Sequence, residues 1–348
     1  MRTIILTGVL VASLLSSTAA TSPSKAMVSF AWSYRAGDYI RGKPAVSGKV
    51  VYVGSDDNAL HAVNADTGEL IWLYETADNV TSSPVILGDA LYFGSWDSAI
   101  YGLEAAQGKL RWRYDTGGWV TASPVITDNV LYVGSHDGFL YALAAGDGHQ
   151  VWRYRTAGRI EASATLAGNT ILVGSTDGYL YALDATDGEL RWRYRTEGGI
   201  VAAPAVAAGM LFIGSLGRRL YALDATSGKL AWTFDGKDAF ESSPLVVEGV
   251  VYIGCNDGRF YALQARDGHL IWQYKASNLI RSSPAVWGSL VFVGSDDGYV
   301  YGLDRQTGAL VWRYRTGSAV VAGLAVSDGK LYVGSTDRCL HAFKLEEK

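Results

Sequence analysis

A tryptophan recurs every 40 residues along almost the whole chain. The series comprises Trp32, Trp72, Trp112, Trp152, Trp192, Trp232, Trp272 and Trp312, without one insertion. A glycine keeps the same interval, at Gly54, Gly94, Gly134, Gly174, Gly214, Gly254, Gly294 and Gly334. A fixed period of this length predicts a repeat architecture, in which each unit is one supersecondary structure that packs against its neighbours.

Each repeat contains four short segments in which apolar residues alternate with others, the pattern of β-strands. In the second repeat these segments are residues 83–87, 90–95, 99–105 and 109–116. Such short connections require each strand to run antiparallel to the next. A helical repeat would need a sustained period of 3.6 residues, and no segment shows one.

Units of four strands, about 40 residues long, predict an all-β fold, an eight-bladed β-propeller of four-stranded antiparallel blades. The chain ends favour a closed ring over an open β-solenoid, which is the alternative. Residues 30–37 have the pattern of a fourth strand, and residues 323–347 have that of the first three. Seven full repeats begin near residues 43, 83, 123, 163, 203, 243 and 283. We therefore expect the N-terminal strand to complete the eighth and last blade.

The N-terminus has the features of a secretory signal peptide. Arg2 precedes an apolar run of 13 residues from Thr3 to Leu15, and small residues follow at positions 18–20, as signal peptidases require. The run is too short to span a membrane, and we expect no transmembrane helix in the mature chain. The expected organisation is a signal peptide over residues 1–20, a linker over 21–27 and a single propeller domain over 28–348. The expected location is the periplasm or the exterior of the cell.

Charge and cysteine content narrow the class of partner. The chain has 30 Lys and Arg against 34 Asp and Glu, a formal net charge of −4. The basic residues form no cluster, so we expect no nucleic-acid partner. Cys255 and Cys339 lie two repeats apart, and we expect buried free thiols rather than a disulfide framework. Phosphate-binding glycine loops, His-x-x-x-His pairs and nucleophile elbows are absent from the sequence.

The segments YALDATDGELRW (Tyr181–Trp192) and YALDATSGKLAW (Tyr221–Trp232) resemble the repeat of the pyrroloquinoline-quinone (PQQ)-type β-propellers. One branch of that family comprises quinoprotein alcohol dehydrogenases, which hold PQQ and calcium in the funnel. Those enzymes are generally longer and typically carry two adjacent cysteines, which this chain lacks. The other branch is non-catalytic and includes BamB, an exported scaffold of the outer-membrane assembly machinery.

Resemblance to the non-catalytic branch implies a binding protein without a cofactor or metal. The partners it implies are other proteins of the cell envelope, and we expect the chain itself to be a monomer. PQQ and calcium belong to the alternative, a quinoprotein oxidoreductase. A carbohydrate-binding propeller is the second alternative.

The positions at which the repeats differ are the candidate site. In a propeller, the loop entering the innermost strand and the loop between the second and third strands open on one face. The middle residue of the first loop is apolar in every repeat, so it should be buried, and its neighbours should surround the axial funnel. The candidate ligand or partner residues are Trp96, Trp119, His136, Arg159, Glu161, Glu241, Arg41 and Arg281.

Two of these candidates, Trp96 and Trp119, stand outside the 40-residue tryptophan series and come from consecutive repeats. They should be neighbours, with His136 one blade along. An aromatic pair beside charges suits a protein contact or a stacked sugar. The remaining alternative is variation on an unused surface. We assign no catalytic, cofactor-binding or metal-ligating residue.

Overall fold

The computed structural model describes residues 26–347, so the expected signal peptide lies outside the described residues. Within this range the chain forms eight four-stranded antiparallel sheets. The predicted all-β, eight-bladed propeller is confirmed. None of the secondary structure between residues 26 and 347 is a helix that could cross a membrane.

Each sheet runs from an innermost strand at the ring axis to an outermost strand at the rim. The innermost strands are Ala45–Ser47 (β2), Val85–Leu87 (β6), Val125–Thr127 (β10), Thr165–Ala167 (β14), Ala205–Ala207 (β18), Leu245–Val247 (β22), Ala285–Trp287 (β26) and Ala325–Ser327 (β30). The second strands are Val50–Ser55 (β3), Ala90–Ser95 (β7), Val130–Gly134 (β11), Thr170–Gly174 (β15), Met210–Gly214 (β19), Val250–Gly254 (β23), Leu290–Gly294 (β27) and Lys330–Gly334 (β31).

The outer half of each sheet comprises the third and the outermost strands. The third strands are Ala59–Asn64 (β4), Ala99–Glu104 (β8), Phe139–Ala144 (β12), Tyr179–Asp184 (β16), Arg219–Asp224 (β20), Arg259–Gln264 (β24), Tyr299–Asp304 (β28) and Cys339–Glu347 (β32). The outermost strands are Leu70–Glu75 (β5), Leu110–Asp115 (β9), Gln150–Arg155 (β13), Leu190–Arg195 (β17), Leu230–Asp235 (β21), Leu270–Lys275 (β25), Leu310–Arg315 (β29) and, in the eighth blade, Ala26–Arg35 (β1).

The N-terminal strand closes the ring, as predicted. β1 pairs antiparallel with β32, from Ala26 opposite Glu347 to Arg35 opposite Cys339, and the eighth sheet has the order β1-β32-β31-β30. The innermost strand of the first blade, β2, contacts both β6 and β30. β1 begins at Ala26, so it takes in the last two residues of the expected linker.

The tryptophan of each outermost strand joins its blade to the next one. In the third blade, Trp152 is 8% exposed and shares a core cluster with Tyr181 and Leu183 of the fourth blade. Its indole N–H donates a hydrogen bond of 3.0 Å to the carbonyl oxygen of Ala185. Five further tryptophans donate to the equivalent carbonyl of the next blade, namely Trp32, Trp72, Trp112, Trp232 and Trp272. The series therefore fills the gaps between neighbouring sheets.

A glycine of the following blade lies against the face of the same indole. At Gly188 the backbone has φ +77°, and a Cβ there would lie 2.6 Å from Cε3 of Trp152. The left-handed backbone conformation and the close packing of the indole are therefore two separate requirements for glycine at this position. The same arrangement occurs at Gly68, Gly108, Gly148, Gly228, Gly268 and Gly308.

The two requirements can be separated by substitution. Gly168 also has a positive φ (+59°), but a Cβ there would meet nothing within 4 Å. Gly168→Ala should lower the free energy of unfolding by about 1–2 kcal/mol, because alanine is strained in the left-handed conformation. Gly188→Ala should lower the free energy of unfolding by the same amount and by about 1–3 kcal/mol more, because the added methyl group displaces Trp152. Urea unfolding followed by circular dichroism measures the difference between the two midpoints. Equal midpoints would contradict the packing role of Gly188.

Candidate functional site

The mouth of the axial channel is built from two loops of each blade, held together by one repeated hydrogen bond. The apolar residue of the entry loop is fully buried in all eight blades: Ile40, Val80, Val120, Ile160, Ile200, Phe240, Ile280 and Val320. The residue before it accepts a backbone hydrogen bond from the loop between the second and third strands, as Trp119 does from His136 (2.8 Å). The frame is constant, so the residues on either side of the buried one are free to vary.

Side chains of the two loops pair within a blade at a separation of 15 residues. The Arg41 guanidinium donates to Asp56 at 2.6 Å, and Asn256 donates to Glu241 at 2.6 Å. Other pairs have the same spacing: Trp96 with Thr81, His136 with Thr121, and Arg281 with Asp296. The partners missing from the candidate set are Asp56, Thr81, Thr121, Asn256 and Asp296. Complementary residue types 15 apart within each repeat are the sequence signal that could have found them.

Three aromatic rings form what we term the aromatic arc of the mouth, namely Trp96, Trp119 and His136. The rings of Trp96 and Trp119 are stacked, with centroids 4.6 Å apart and planes 11° from parallel. His136 continues the arc, 5.6 Å from the ring centroid of Trp119. Trp119 is 44% exposed although it is a large aromatic residue. Trp96 is held from behind by its hydrogen bond to Thr81 (2.8 Å).

His136 is kept neutral by its surroundings. Burial lowers the pKa of the imidazole, and the positive charge of Arg159 adds to this effect. Glu161, with its Oε1 atom 4.0 Å from Nε2 of the histidine, opposes the shift without cancelling it. The aromatic arc therefore carries no charge near neutral pH.

Charged residues divide the rest of the mouth by sign. Consecutive blades contribute Glu161, Val201 and Glu241, and the following blades contribute Arg281, Val321 and Arg41. We term Glu161 and Glu241 the acidic arc, and Arg281 and Arg41 the basic arc. The mouth thus presents an aromatic, an acidic and a basic sector around one axis, and each arginine of the basic sector is paired with an aspartate of its own blade.

The structure places all eight candidates around three adjoining cavities. A cavity of about 400 Å³ at the mouth is lined by Trp96, Trp119, His136, Glu161, Glu241 and Arg281. Arg41 lines the channel below, which shares Glu241 and Arg281 with the mouth. Arg159 lines a neighbouring cavity that shares Trp119 and His136.

Three carboxylates around the mouth, a type of group that a calcium ion takes as ligand, already have partners in their own blades. Calcium takes six to eight oxygen ligands. Asp56 and Asp296 are already bound to arginines, and Glu241 accepts from Asn256. Over residues 26–347, three metal-ligating side chains converge only at Asp337, Cys339 and His341, and none of them lines the mouth cavity.

That convergence has a structural explanation. His341 bonds Asp337 at 3.0 Å, in the place where a tyrosine hydroxyl bonds the equivalent aspartate in other blades, such as Tyr141 with Asp137 (2.6 Å). Burial raises the pKa of the Cys339 thiol, which disfavours the thiolate that a metal needs. Cys339 is half-buried rather than buried as expected, whereas Cys255 is buried as expected, and both are free.

Comparisons with known proteins agree with this architecture. The family described as outer membrane protein assembly factor BamB matches residues 28–102, 87–165, 141–283 and 276–347. A search of curated protein sequences gave no significant match. Among solved structures, BamB from Moraxella catarrhalis superposes with a TM-score of 0.80 and 22% identity, over 91% of this chain and 100% of that one.

Two other solved structures show how widely the fold is used. The computationally designed Ika8 protein has a TM-score of 0.81 and 17% identity, over 91% of this chain and 99% of the other. A quinohemoprotein alcohol dehydrogenase from Comamonas testosteroni has a TM-score of 0.76 and 17% identity, over 91% and 76%. At such identities the superpositions show the fold alone. The family match extends over nearly all of the described residues, and the chain therefore belongs to the outer membrane protein assembly factor BamB family of PQQ-like propellers.

Proposed function

We propose that this protein is a non-enzymatic binding protein of the cell envelope that docks other proteins at the mouth of its channel. The observation that carries the proposal is the aromatic arc, in which the exposed ring of Trp119 is backed by the parallel ring of Trp96. Tryptophan is enriched among the residues that dominate protein–protein binding energies. A ring already held in place loses little conformational freedom on binding.

The charged arcs supply orientation to such a contact. A basic group on the surface of a partner would meet Glu161 and Glu241. Arg41 and Arg281 are paired with Asp56 and Asp296, so they would offer a partner only their remaining N–H donors. Complementary charge mainly sets specificity and association rate, whereas the buried aromatic centre supplies affinity. The arrangement therefore favours one docking orientation about the propeller axis.

Family membership indicates the setting of this activity. The partners we propose are periplasmic or outer-membrane proteins handled during outer-membrane protein assembly, with the chain acting as a monomeric scaffold. The signal-peptide pattern of residues 1–20 supports export. Three carboxylates around the mouth, those of Asp56, Glu241 and Asp296, are held by neighbouring side chains, which supports a role without PQQ, calcium or catalysis.

A carbohydrate ligand is the second candidate, because Trp119 borders two adjoining cavities and its ring is accessible. Titration with glycans would quench the tryptophan fluorescence of the wild-type chain if a sugar stacks there. Quenching that disappears in Trp119→Ser would replace the protein-docking proposal with this one.

Substitution of the aromatic arc should abolish partner binding. We expect Trp119→Ser to lower the recovery of specific partners from an envelope extract at least about tenfold, because the central aromatic anchor is lost. Quantitative mass spectrometry of proteins captured by the tagged chain measures this recovery.

The matched control is Leu270→Ser, which removes an apolar side chain of similar exposure, 46% against 44% for Trp119, from the outermost strand of the sixth blade. Equal losses for the two variants would show that the mouth is not the docking site. A change in absorbance on adding PQQ and calcium, followed by dye reduction with an alcohol, would overturn the non-enzymatic role.

The fluorescence of the aromatic arc should depend on pH. An imidazolium quenches a neighbouring indole more strongly than neutral imidazole does, so emission should fall as His136 gains a proton. Burial and Arg159 lower the pKa of His136 from its ordinary value of 6.5, so the step should have its midpoint below pH 6.5. The measurement is the difference between the pH titrations of wild type and His136→Gln. A step at or above pH 6.5, or one that survives in His136→Gln, would contradict this geometry.

A further inference from the structure

Below the mouth, a ring of serines links the innermost strands of neighbouring blades. We term Ser83, Ser123, Ser163, Ser243 and Ser283 the serine ring. Each hydroxyl oxygen accepts a hydrogen bond of 2.9–3.3 Å from the backbone N–H of the residue 40 positions earlier. The remaining three positions of the series hold Lys43, Ala203 and Gly323. The Ser-Pro pairs of this series recur in the sequence, but only the closed ring places their hydroxyls in one channel.

The hydroxyl groups of the serine ring donate no hydrogen bond to other residues of the described chain. All five side chains line the channel, a cavity of about 490 Å³. Each accepts one backbone hydrogen bond, but between residues 26 and 347 none donates its O–H to a protein acceptor. A serine hydroxyl can donate and accept at once. The channel wall therefore offers five hydrogen-bond donors.

Lys43 adds a positive charge to the same ring. Its side chain lines the channel beside Gly323, where a Cβ would lie only 3.1 Å from Cβ and 3.3 Å from Cδ of the lysine. The missing side chain of Gly323 thus makes room for the lysine stem. Lys330 and Lys49, by contrast, are paired with Asp66.

The charge of Lys43 is unpaired in the described part of the chain. No carboxylate lies within ion-pair distance of its ammonium group among residues 26–347. Burial lowers the pKa of Lys43, and no neighbouring charge contributes to the shift. Lys43 keeps an exposed surface in the channel, and an anion held beside its ammonium group would supply the missing counter-charge.

The other charges of the channel do not fill this role. Arg41 and Arg281 are neutralised by Asp56 and Asp296, and Glu241 is held by Asn256 at the mouth end. A metal cation would meet the ammonium group of Lys43 and hydroxyl oxygens that already accept backbone hydrogen bonds. The donors and the charge both favour an anion with several acceptor atoms.

We propose that the channel is an oxyanion-binding site, in which Lys43 and hydroxyls of the serine ring hold a small tetrahedral anion such as inorganic phosphate or sulfate. The anion binds below the mouth, on residues distinct from the aromatic arc, so this proposal does not depend on the docking function. Lys43 contributes the charge-assisted hydrogen bond and the serines contribute neutral ones.

Isothermal titration calorimetry of the full chain with inorganic phosphate tests this site. Wild type should bind phosphate and sulfate in competition with each other, and chloride at equal ionic strength should bind much more weakly. Lys43→Met keeps the length of the stem and removes the charge, and it should weaken phosphate binding at least about tenfold. Lys109→Met, the same change at an exposed lysine of a turn at the rim, should bind like wild type.

A second measurement guards against a folding defect. Phosphate should raise the thermal midpoint of wild type and of Lys109→Met, because a ligand of the folded state stabilises it. Lys43→Met should fold in phosphate-free buffer, since it loses an unpaired charge, yet its midpoint should not respond to phosphate. Absence of heat with wild type, equal affinity for chloride, or equal binding by the two methionine variants would overturn the proposal.

Discussion

The contact between a tryptophan and the next blade is the interaction on which this ring depends. One indole provides apolar area, an N–H donor and a flat face, and the following blade provides a carbonyl oxygen and a glycine that fit it, as for Trp152 with Ala185 and Gly188. The bond is not universal: within the described chain, the indole N–H of Trp192 has no acceptor. Its ring still packs in the cluster between the fourth and fifth blades. Packing between blades is thus the constant element, and the hydrogen bond accompanies it in most of them.

Closure of the ring lets every blade make this contact with a neighbour on each side. An open array of such blades would leave one tryptophan face and one sheet edge unsatisfied at each end. Pairing of β1 with β32 removes both ends, and places Trp32 against Tyr332 within the eighth blade and Ala65 of the first. Closure also brings eight equivalent loops around one axis. The mouth and the channel are consequences of the ring, since no single blade encloses either of them.

Because the repeats are so regular, a residue that departs from the repeat can be matched to the neighbouring residue that accommodates it. A change at an entry-loop residue is accompanied by a fitting change 15 residues later, as with Arg41 and Asp56 or Glu241 and Asn256. The departure at Lys43 is accompanied by another in the adjacent blade, where Gly323 leaves space for the lysine stem. Both cases join a charged or bulky residue to a partner that accommodates it. The repeat supplies the scaffold, and such pairs give the mouth and the channel their chemistry.

Sequence alone determined the number of blades, the strand pattern and the closing strand, because these follow from a period of 40 residues and an alternation of two. It also placed the apolar residue of each entry loop in the core, as the full burial of Ile160 shows. Strand ends were less certain: β6 begins at Val85, two residues after the predicted start, because a strand starts where pairing with its neighbour begins. Tertiary structure alone decided that Trp96 and Trp119 stack on each other and that His136 extends them. It also decided that Lys43 and a ring of serine hydroxyls line one channel, with no carboxylate of residues 26–347 at ion-pair distance from the lysine. Periodicity specifies which positions share an environment, whereas the distances between side chains of different blades are set only when the ring closes and brings them to a common axis.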